Sequence, residues 1–295
     1  MAAGTGARAG GFLRLVELDA VDVDAFHTRV PSNAAARVSR GSLSAQGLVA
    51  AGCTVDTDWR WVHSLHVTNL SEGDGARPIE FCVERLRDSD RFSTRLVRAM
   101  QDGELLAAMT VSFQAPSATR DPAHGRPETE DWPDPHSLPA TVAGAALDVR
   151  YVDRLPCGPT VVLARANRIW LRMTEELPDR ILFHAAAVVY AADLLLEEPL
   201  LDPAGPEIAS ADGVFAQTLD LSMRWHRGFR ADDWLRHEHE LLTTANGRAV
   251  ITGRFFSSMG RLVASVSQEI ASPPVSRTGG EACSVHGPGY GSRKE

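Results

Sequence analysis

The chain has 295 residues, a net charge of −8 at neutral pH and 44% hydrophobic residues, which is an ordinary globular balance. Its acidic total argues against a nucleic-acid backbone or an anionic membrane surface as the main partner. The longest apolar run, 182–196, is too short to span a bilayer, so no membrane insertion is expected. At roughly 150 residues per domain, the length predicts one large domain or two of ordinary size.

Cysteine spacing and the absence of certain glycine motifs exclude several classes of protein. The four cysteines lack the Cys-x-x-Cys spacing of disulfide frameworks and zinc sites, so reduced thiols in a cytoplasmic protein are expected. The first residues lack the apolar core of a secretory signal. The sequence also contains neither of the glycine-rich loops that bind dinucleotides or nucleotides. We therefore expect no metal and no cofactor.

Composition divides the chain into two compact parts. Six prolines and many acidic residues fall in 115–139, which predicts a linker over 115–149. The segment 273–295 is rich in glycine, serine and proline, which predicts a disordered tail. The remaining regions, 12–114 and 150–272, have similar lengths and are each expected to form one half of the fold.

In the first half, 42–55 is small and apolar and predicts a helix. Gly47 and Gly52 disfavour an isolated helix and are best explained by a close approach to a sheet. Strands are expected around 79–83 and 105–113, where apolar residues recur at every second position. Asp102-Gly103 predicts a hairpin turn.

The second half repeats this order. A helix is predicted over 177–201, apolar on every face and therefore buried. Alternating strands follow at 219–225 and 262–270, and Asn246-Gly247 marks a further hairpin.

The last strands of the halves align directly. Residues 103–111 fall on 260–268 at an offset of 157 positions, which favours an internal duplication. Where the first copy has Val111, the second has Gln268 on the apolar face. A buried amide costs free energy unless it is hydrogen-bonded, so Gln268 is either a core residue bonded to backbone or part of a polar site.

Two further polar residues invite the same choice. Asp193 lies inside the apolar helix, where it either reaches solvent near the helix end or holds a polar site. Thr218 opens a strand, and its parity places it opposite Leu219 and Leu221, on the face of Asp220.

His237 and His239 share one face of a predicted strand. Such a pair is able to bind a metal, but no third ligand lies nearby in the sequence. An exposed polar strand face is therefore expected at this position.

Several short motifs follow one another in a fixed order along the two halves. They are Ala45-Gln46-Gly47-Leu48, His63-Ser64-Leu65-His66, Gly73-Asp74, Phe92-Ser93-Thr94-Arg95, Leu177-Pro178-Asp179, His184 through Tyr190 to Asp193, Leu221-Ser222-Met223, Trp225-His226-Arg227 and Gln268-Glu269. With this order and spacing, the chain resembles the type II acyl-CoA thioesterases, the double-hotdog enzymes of bacteria and peroxisomes.

The resemblance implies an α+β double hotdog, in which two long helices are each wrapped by an antiparallel sheet. It implies that acyl-CoA thioesters are hydrolysed to free fatty acid and CoA. Asp193 would act as general base or position the water, while Thr218 and Gln268 would hydrogen-bond the same water. A homo-oligomer is also implied, since hotdog assemblies usually pair through their sheets.

The chain departs from the family pattern mainly in its first half. After His63–His66, an aromatic segment of the family is replaced by Val67-Thr68-Asn69-Leu70. Because of such changes, a non-catalytic acyl-CoA-binding protein with the same fold is an alternative. A hotdog enoyl-CoA hydratase is less favoured, because no suitable Asp and His pair lies beside either predicted helix.

Overall fold

The structure is a computed structural model that describes residues 11–30, 37–57, 59–117, 132–143, 146–152, 166–197 and 217–271. The helices are α1 (Phe12–Leu15), α2 (Arg40–Gly52) and α3 (Ile181–Glu197). The strands are β1 (Leu18–Asp22), β2 (Ala25–Thr28), β3 (Trp61–Asn69), β4 (Glu80–Asp88), β5 (Phe92–Gln101), β6 (Glu104–Gln114), β7 (Thr141–Ala143), β8 (Leu147–Tyr151), β9 (Ala166–Met173), β10 (Gln217–Trp225), β11 (Leu235–Ala245), β12 (Arg248–Ser257) and β13 (Leu262–Ala271).

All strands of the described residues join one antiparallel sheet in the order β1-β2-β4-β5-β6-β3-β10-β13-β12-β11-β9-β8-β7. The order is nearly symmetric about the contact between β3 and β10. On one side β3 is followed by β6, β5 and β4, and on the other β10 is followed by β13, β12 and β11. Together with α2 and α3, this sheet confirms the α+β double-hotdog prediction.

The helix α2 shows why its glycines are tolerated. Ser39 caps it by accepting a hydrogen bond from the Ser42 amide at 3.1 Å. A Cβ at Gly47 would collide with Met109 of β6, and a Cβ at Gly52 would collide with Leu182 of α3. The expected approach to the sheet is therefore confirmed at Gly47, whereas Gly52 lets the two helices meet.

The two long helices lie side by side and run in opposite directions. The N-terminal end of α2 is next to the C-terminal part of α3, because a Cβ at Gly41 would lie 2.8 Å from the Asp193 Cβ. At the other end, Gly52 meets Leu182. This pairing makes Gly41 and Leu182 equivalent positions, and likewise Gly52 and Asp193.

Both predicted hairpins are present and have the same conformation. Asp102 and Gly103 have φ of 52° and 85°, and Asn246 and Gly247 have φ of 52° and 71°. Positive φ at both central residues defines the turn whose twist suits two antiparallel strands. Each turn thereby fixes the register of its strands.

The segment 115–149 contains more than a connection. Strand β7 and the first residues of β8 lie within it and extend the sheet beyond β9. The predicted tail 273–295 and the last residues of the helix predicted over 177–201 lie outside the described residues.

Candidate active site

Asp193 is the most deeply buried carboxylate of the described residues, with 1% of its surface exposed. Its Oδ2 accepts a hydrogen bond from the Gly41 amide of α2 at 2.7 Å, and its Oδ1 accepts one from the Thr218 hydroxyl of β10 at 2.8 Å. Of the two alternatives for Asp193, the one in which the carboxylate reaches solvent near the helix end is therefore wrong. Asp193 instead joins both helices and the sheet.

Burial raises the pKa of Asp193 because removing water disfavours the charged form. The hydrogen bonds from Thr218 and Gly41 and the positive charge of Arg40 oppose this rise. Two donors and the positive end of α2 thus stabilise a carboxylate that has been made more basic than an ordinary one. Such a group is suited to accept a proton.

Thr218 reaches Asp193 because of an irregularity in its strand. The register of β10 against β13 shifts between Thr218 and Asp220, which marks a β-bulge. Thr218 and Leu221 both lie on the buried face, while Asp220 lies on the other. The parity prediction that placed Thr218 with Asp220 is therefore wrong, because simple alternation does not hold across a bulge.

Gln268 lies on the same buried face as Thr218, on the neighbouring strand. It pairs with Leu221, while Thr218 pairs with Ile270 two pairs further along the ladder. Only 2% of Gln268 is exposed, and its Nε2 has no hydrogen-bond partner within the described residues. A donor left unsatisfied in this way carries a free-energy cost that a bound water or substrate oxygen would relieve.

The equivalent positions in the first half carry no polar group. Val111 pairs with Leu65 on β3 as Gln268 pairs with Leu221 on β10. In the same register Val62, also followed by a bulge, occupies the position of Thr218. Gly52 faces α3 as Asp193 faces α2. The first-half equivalents of Asp193, Thr218 and Gln268 are therefore Gly52, Val62 and Val111.

His237 and His239 are buried, with 3% and 7% of their surfaces exposed, so the predicted exposed strand face is wrong. Burial lowers the pKa of His237 well below 6.5 and that of His239 to about 4, which keeps both rings neutral. The His237 ring stacks on Phe255, with centroids 4.2 Å apart. No group of three or more metal-binding side chains occurs in the parts of the chain that the structure describes.

Comparison with family models covers nearly all of both halves. Residues 29–114 match a model described as the acyl-CoA thioesterase N-terminal domain, and residues 116–272 match one described as the acyl-CoA thioesterase C-terminal domain. The chain belongs to the acyl-CoA thioesterase family. In this thioesterase, none of the helices within the described ranges has the length and apolarity needed to cross a membrane.

Individual relatives extend over most of the chain. The sequence is 28% identical to acyl-coenzyme A thioesterase 8 of Mus musculus, covering 86% of each protein. It is 26% identical to acyl-CoA thioesterase 2 of Haemophilus influenzae, covering 87% of this chain and 95% of the relative. The crystal structure of acyl-CoA thioesterase II TesB2 from Mycobacterium marinum is 33% identical, with a TM-score of 0.71, covering 89% of this chain and 98% of that one.

Sequence reasoning missed two residues that touch the site. Gly41 supplies the amide that binds Asp193, and the signal for it was a glycine placed beside the start of a predicted helix. Asn69, the last residue of β3, donates its side-chain amide to the Thr218 carbonyl at 3.0 Å. No feature of the sequence alone distinguished Asn69, because the strand that it contacts is 149 residues away.

Proposed function

We propose that this thioesterase hydrolyses acyl-CoA thioesters with a water held by Asp193, Thr218 and Gln268. The observation that carries the proposal is the buried Asp193 carboxylate, bonded to the Thr218 hydroxyl and to the first turn of α2. Burying a carboxylate in this way lowers the stability of the fold, and such buried carboxylates are typical of functional sites.

In the proposed reaction, Asp193 takes a proton from the water as the water oxygen attacks the thioester carbonyl carbon. The electrons of the carbonyl bond move onto its oxygen. When the carbonyl re-forms, the bond from carbon to sulfur breaks, and the proton held by Asp193 passes to the departing sulfur. The products are the free carboxylic acid and CoA, with no covalent enzyme intermediate.

Gln268 and Thr218 orient this chemistry. The Nε2 of Gln268 offers a donor without a partner among the described residues, suited to the water or to the developing negative oxygen. The Thr218 hydroxyl donates its proton to Asp193, so its lone pairs remain able to accept a hydrogen bond from the water. The positive end of α2 adds favourable potential at the same point.

The remaining organisation follows from the same reasoning. We propose that 12–114 and 150–272 are the two hotdog halves, supported by the near symmetry of the strand order about β3 and β10. The cysteine pattern supports a cytoplasmic location, and the hotdog resemblance supports a homo-oligomer. Size-exclusion chromatography with light scattering tests the oligomer directly.

The catalytic assignment is tested by replacing Asp193 with asparagine, which keeps the shape and removes the base. We expect kcat to fall about 1000-fold, measured as CoA release from acyl-CoAs of several chain lengths. Asp148→Asn is the matched control, because Asp148 of β8 is also a buried carboxylate but pairs with Arg150, away from Asp193. It should keep the wild-type rate.

Two outcomes would reject the proposal. Full activity in Asp193→Asn would remove Asp193 from the reaction. A wild-type protein that binds acyl-CoA but hydrolyses none of the chain lengths would favour the alternative, a binding protein that retains the fold.

A further inference from the structure

Asn69 belongs to the first half of the chain, yet its side chain ends in the active site of the second. It is the last residue of β3, is buried on the face that bears Val67, and donates from Nδ2 to the Thr218 carbonyl oxygen at 3.0 Å. It also lies in the segment where this chain departs from the aromatic pattern of the family.

The Thr218 carbonyl needs such a donor because the ladder ends before it. The pairing of β3 with β10 runs from Ser64 opposite Arg224 to Thr68 opposite Asp220 and extends no further. Thr218 lies beyond that last pair, on the other side of the bulge. The amide of Asn69 thus takes the place of the missing strand hydrogen bond on this side of β10.

The bulge decides where the Thr218 hydroxyl points. Without the register shift, alternation would put Thr218 on the face of Asp220, away from Asp193. On the β13 side, pairing with Ile270 supports the bulged chain. On the β3 side, the side chain of Asn69 is the support that the structure shows.

On these grounds, and resting on the proposed function, we propose that Asn69 is a positioning residue. It holds the main chain of Thr218 so that the hydroxyl lies within hydrogen-bonding distance of the Asp193 carboxylate. Asn69 acts through Thr218 and touches neither water nor thioester in this role.

Asn69→Leu changes two buried polar groups at once. It removes the Asn69 Oδ1, which is buried and has no hydrogen-bond partner among the described residues. It also leaves the buried Thr218 carbonyl without the amide donor that the structure shows, which costs stability. A lower melting temperature is therefore expected, and the kinetic readouts, compared with those of a variant that loses stability only, separate positioning from stability.

The expected kinetic effect of Asn69→Leu is a fall in kcat of about three- to tenfold, with KM nearly unchanged, because Asn69 acts only through Thr218 and a displaced hydroxyl costs no more than the loss of that hydroxyl. The acid limb of the kcat profile should move to higher pH, since Asp193 loses a hydrogen bond that favours its ionised form. The other groups facing Asp193, the Gly41 amide and Arg40, are unchanged in the variant.

The experiment compares wild type, Asn69→Leu and Leu65→Ala. Leu65 is buried on the same strand and pairs with Met223, away from Thr218, so its variant reports loss of stability without loss of positioning. Crystal structures of wild type and Asn69→Leu measure the distance from the Thr218 Oγ1 to the Asp193 Oδ1. We expect it to lengthen beyond hydrogen-bonding reach in the variant.

The outcomes distinguish this proposal from the proposed function. An unchanged distance, or an unchanged kcat in an active enzyme, would overturn the role of Asn69 and leave hydrolysis intact. If the wild type has no activity, hydrolysis fails, and the crystallographic distance still decides whether Asn69 positions Thr218.

Discussion

The two halves share one architecture but differ at the positions of the proposed site. In the second half, the Asp193 carboxylate accepts a hydrogen bond from the Thr218 hydroxyl, and the Gln268 amide lies on the same buried face as Thr218. In the first half, the equivalent Gly52, Val62 and Val111 carry no polar side chain. A hydrolytic site therefore requires more than the hotdog scaffold, since the same pairing of helix and strands supports an apolar core equally well.

In the first half, a buried arginine lies beside Val111, the equivalent of Gln268. Arg95 of β5 pairs with Val111 and is almost completely buried. Its guanidinium donates to the Thr54 hydroxyl at 2.8 Å, just beyond α2, and to Asp88 at 2.9 Å. The equivalent residue opposite Gln268 is Ile251. The buried charged group thus lies on strand β5 in the first half, as Arg95, and on helix α3 in the second half, as Asp193.

The sharpest way to break the comparison is to make the halves alike at Gln268. Gln268→Val copies the first half, and we expect kcat to fall between about 100- and 1000-fold, because a donor to the developing charge is lost. The reciprocal Val111→Gln should give no second site, since Gly52 and Val62 remain. It should cost about 1–3 kcal/mol of unfolding free energy, because the new amide has no partner. A gain of activity in Val111→Gln would contradict the comparison.

The next effect concerns the two glycines at the helix contact. A Cβ at Gly41 would lie 2.8 Å from the Asp193 Cβ and 2.9 Å from the Tyr190 carbonyl oxygen, neither of which yields easily. Gly41→Ala should push α2 from α3, reduce kcat about 100-fold and cost about 1–3 kcal/mol in chemical denaturation.

Gly52→Ala is the matched control for Gly41. Its Cβ would lie 2.4 Å from Cδ2 and 3.2 Å from Cγ of the buried Leu182, so this variant also strains the contact between the helices, but at the end away from Asp193. The rate should stay near wild type. Equal losses of rate in both variants would show that helix separation alone, and not the Gly41 amide, governs activity.

A smaller effect is expected at Thr218. Thr218→Val copies Val62, removes the hydrogen bond to Asp193 and should reduce kcat about tenfold. Activity needs the ionised carboxylate, so the rate falls as pH drops through the pKa of Asp193, which burial raises above 3.8. Losing Thr218 raises that pKa further, and the acid limb of the pH–rate profile should move upward. Thr218→Ser, which keeps the hydroxyl, should leave that limb in place.

The smallest effect on kcat is expected for changes at His239, which lies at the position that Val83 occupies in the first half. These changes should affect the stability of the protein and not the reaction. Its folded pKa of about 4 is below the ordinary 6.5 of the unfolded chain. Above pH 6.5 the ring is neutral in both states, and stability is at its full value. As pH falls from 6.5 towards 4, only the unfolded chain takes up the proton, so the free energy of unfolding decreases. The loss is on the order of 3 kcal/mol. His239→Val should flatten this part of the pH dependence of urea unfolding.

Much of the scaffold was predictable from local patterns. The turns at Asp102-Gly103 and Asn246-Gly247 follow from residues that tolerate positive φ, and the apolar run around Asp193 predicted a buried helix. Gln268 stood out because an amide interrupted an apolar alternation. These signals are readable because they depend on near neighbours in the chain.

The remaining features required the folded chain. Alternation failed at Thr218, because the pairing with β13 shifts register between Thr218 and Asp220. It also failed at His237 and His239, since burial depends on what covers a strand and not on the polarity of its residues.

From residue patterns alone, the chain divides into two similar halves, and the second carries polar residues in apolar surroundings. The contact of Asp193 with Gly41, 152 residues away, and the orientation of Thr218 towards Asp193 are visible only in the folded chain. Periodicity is a property of near neighbours in the sequence, whereas a hydrogen bond between two helices and a sheet depends on how closely those elements pack.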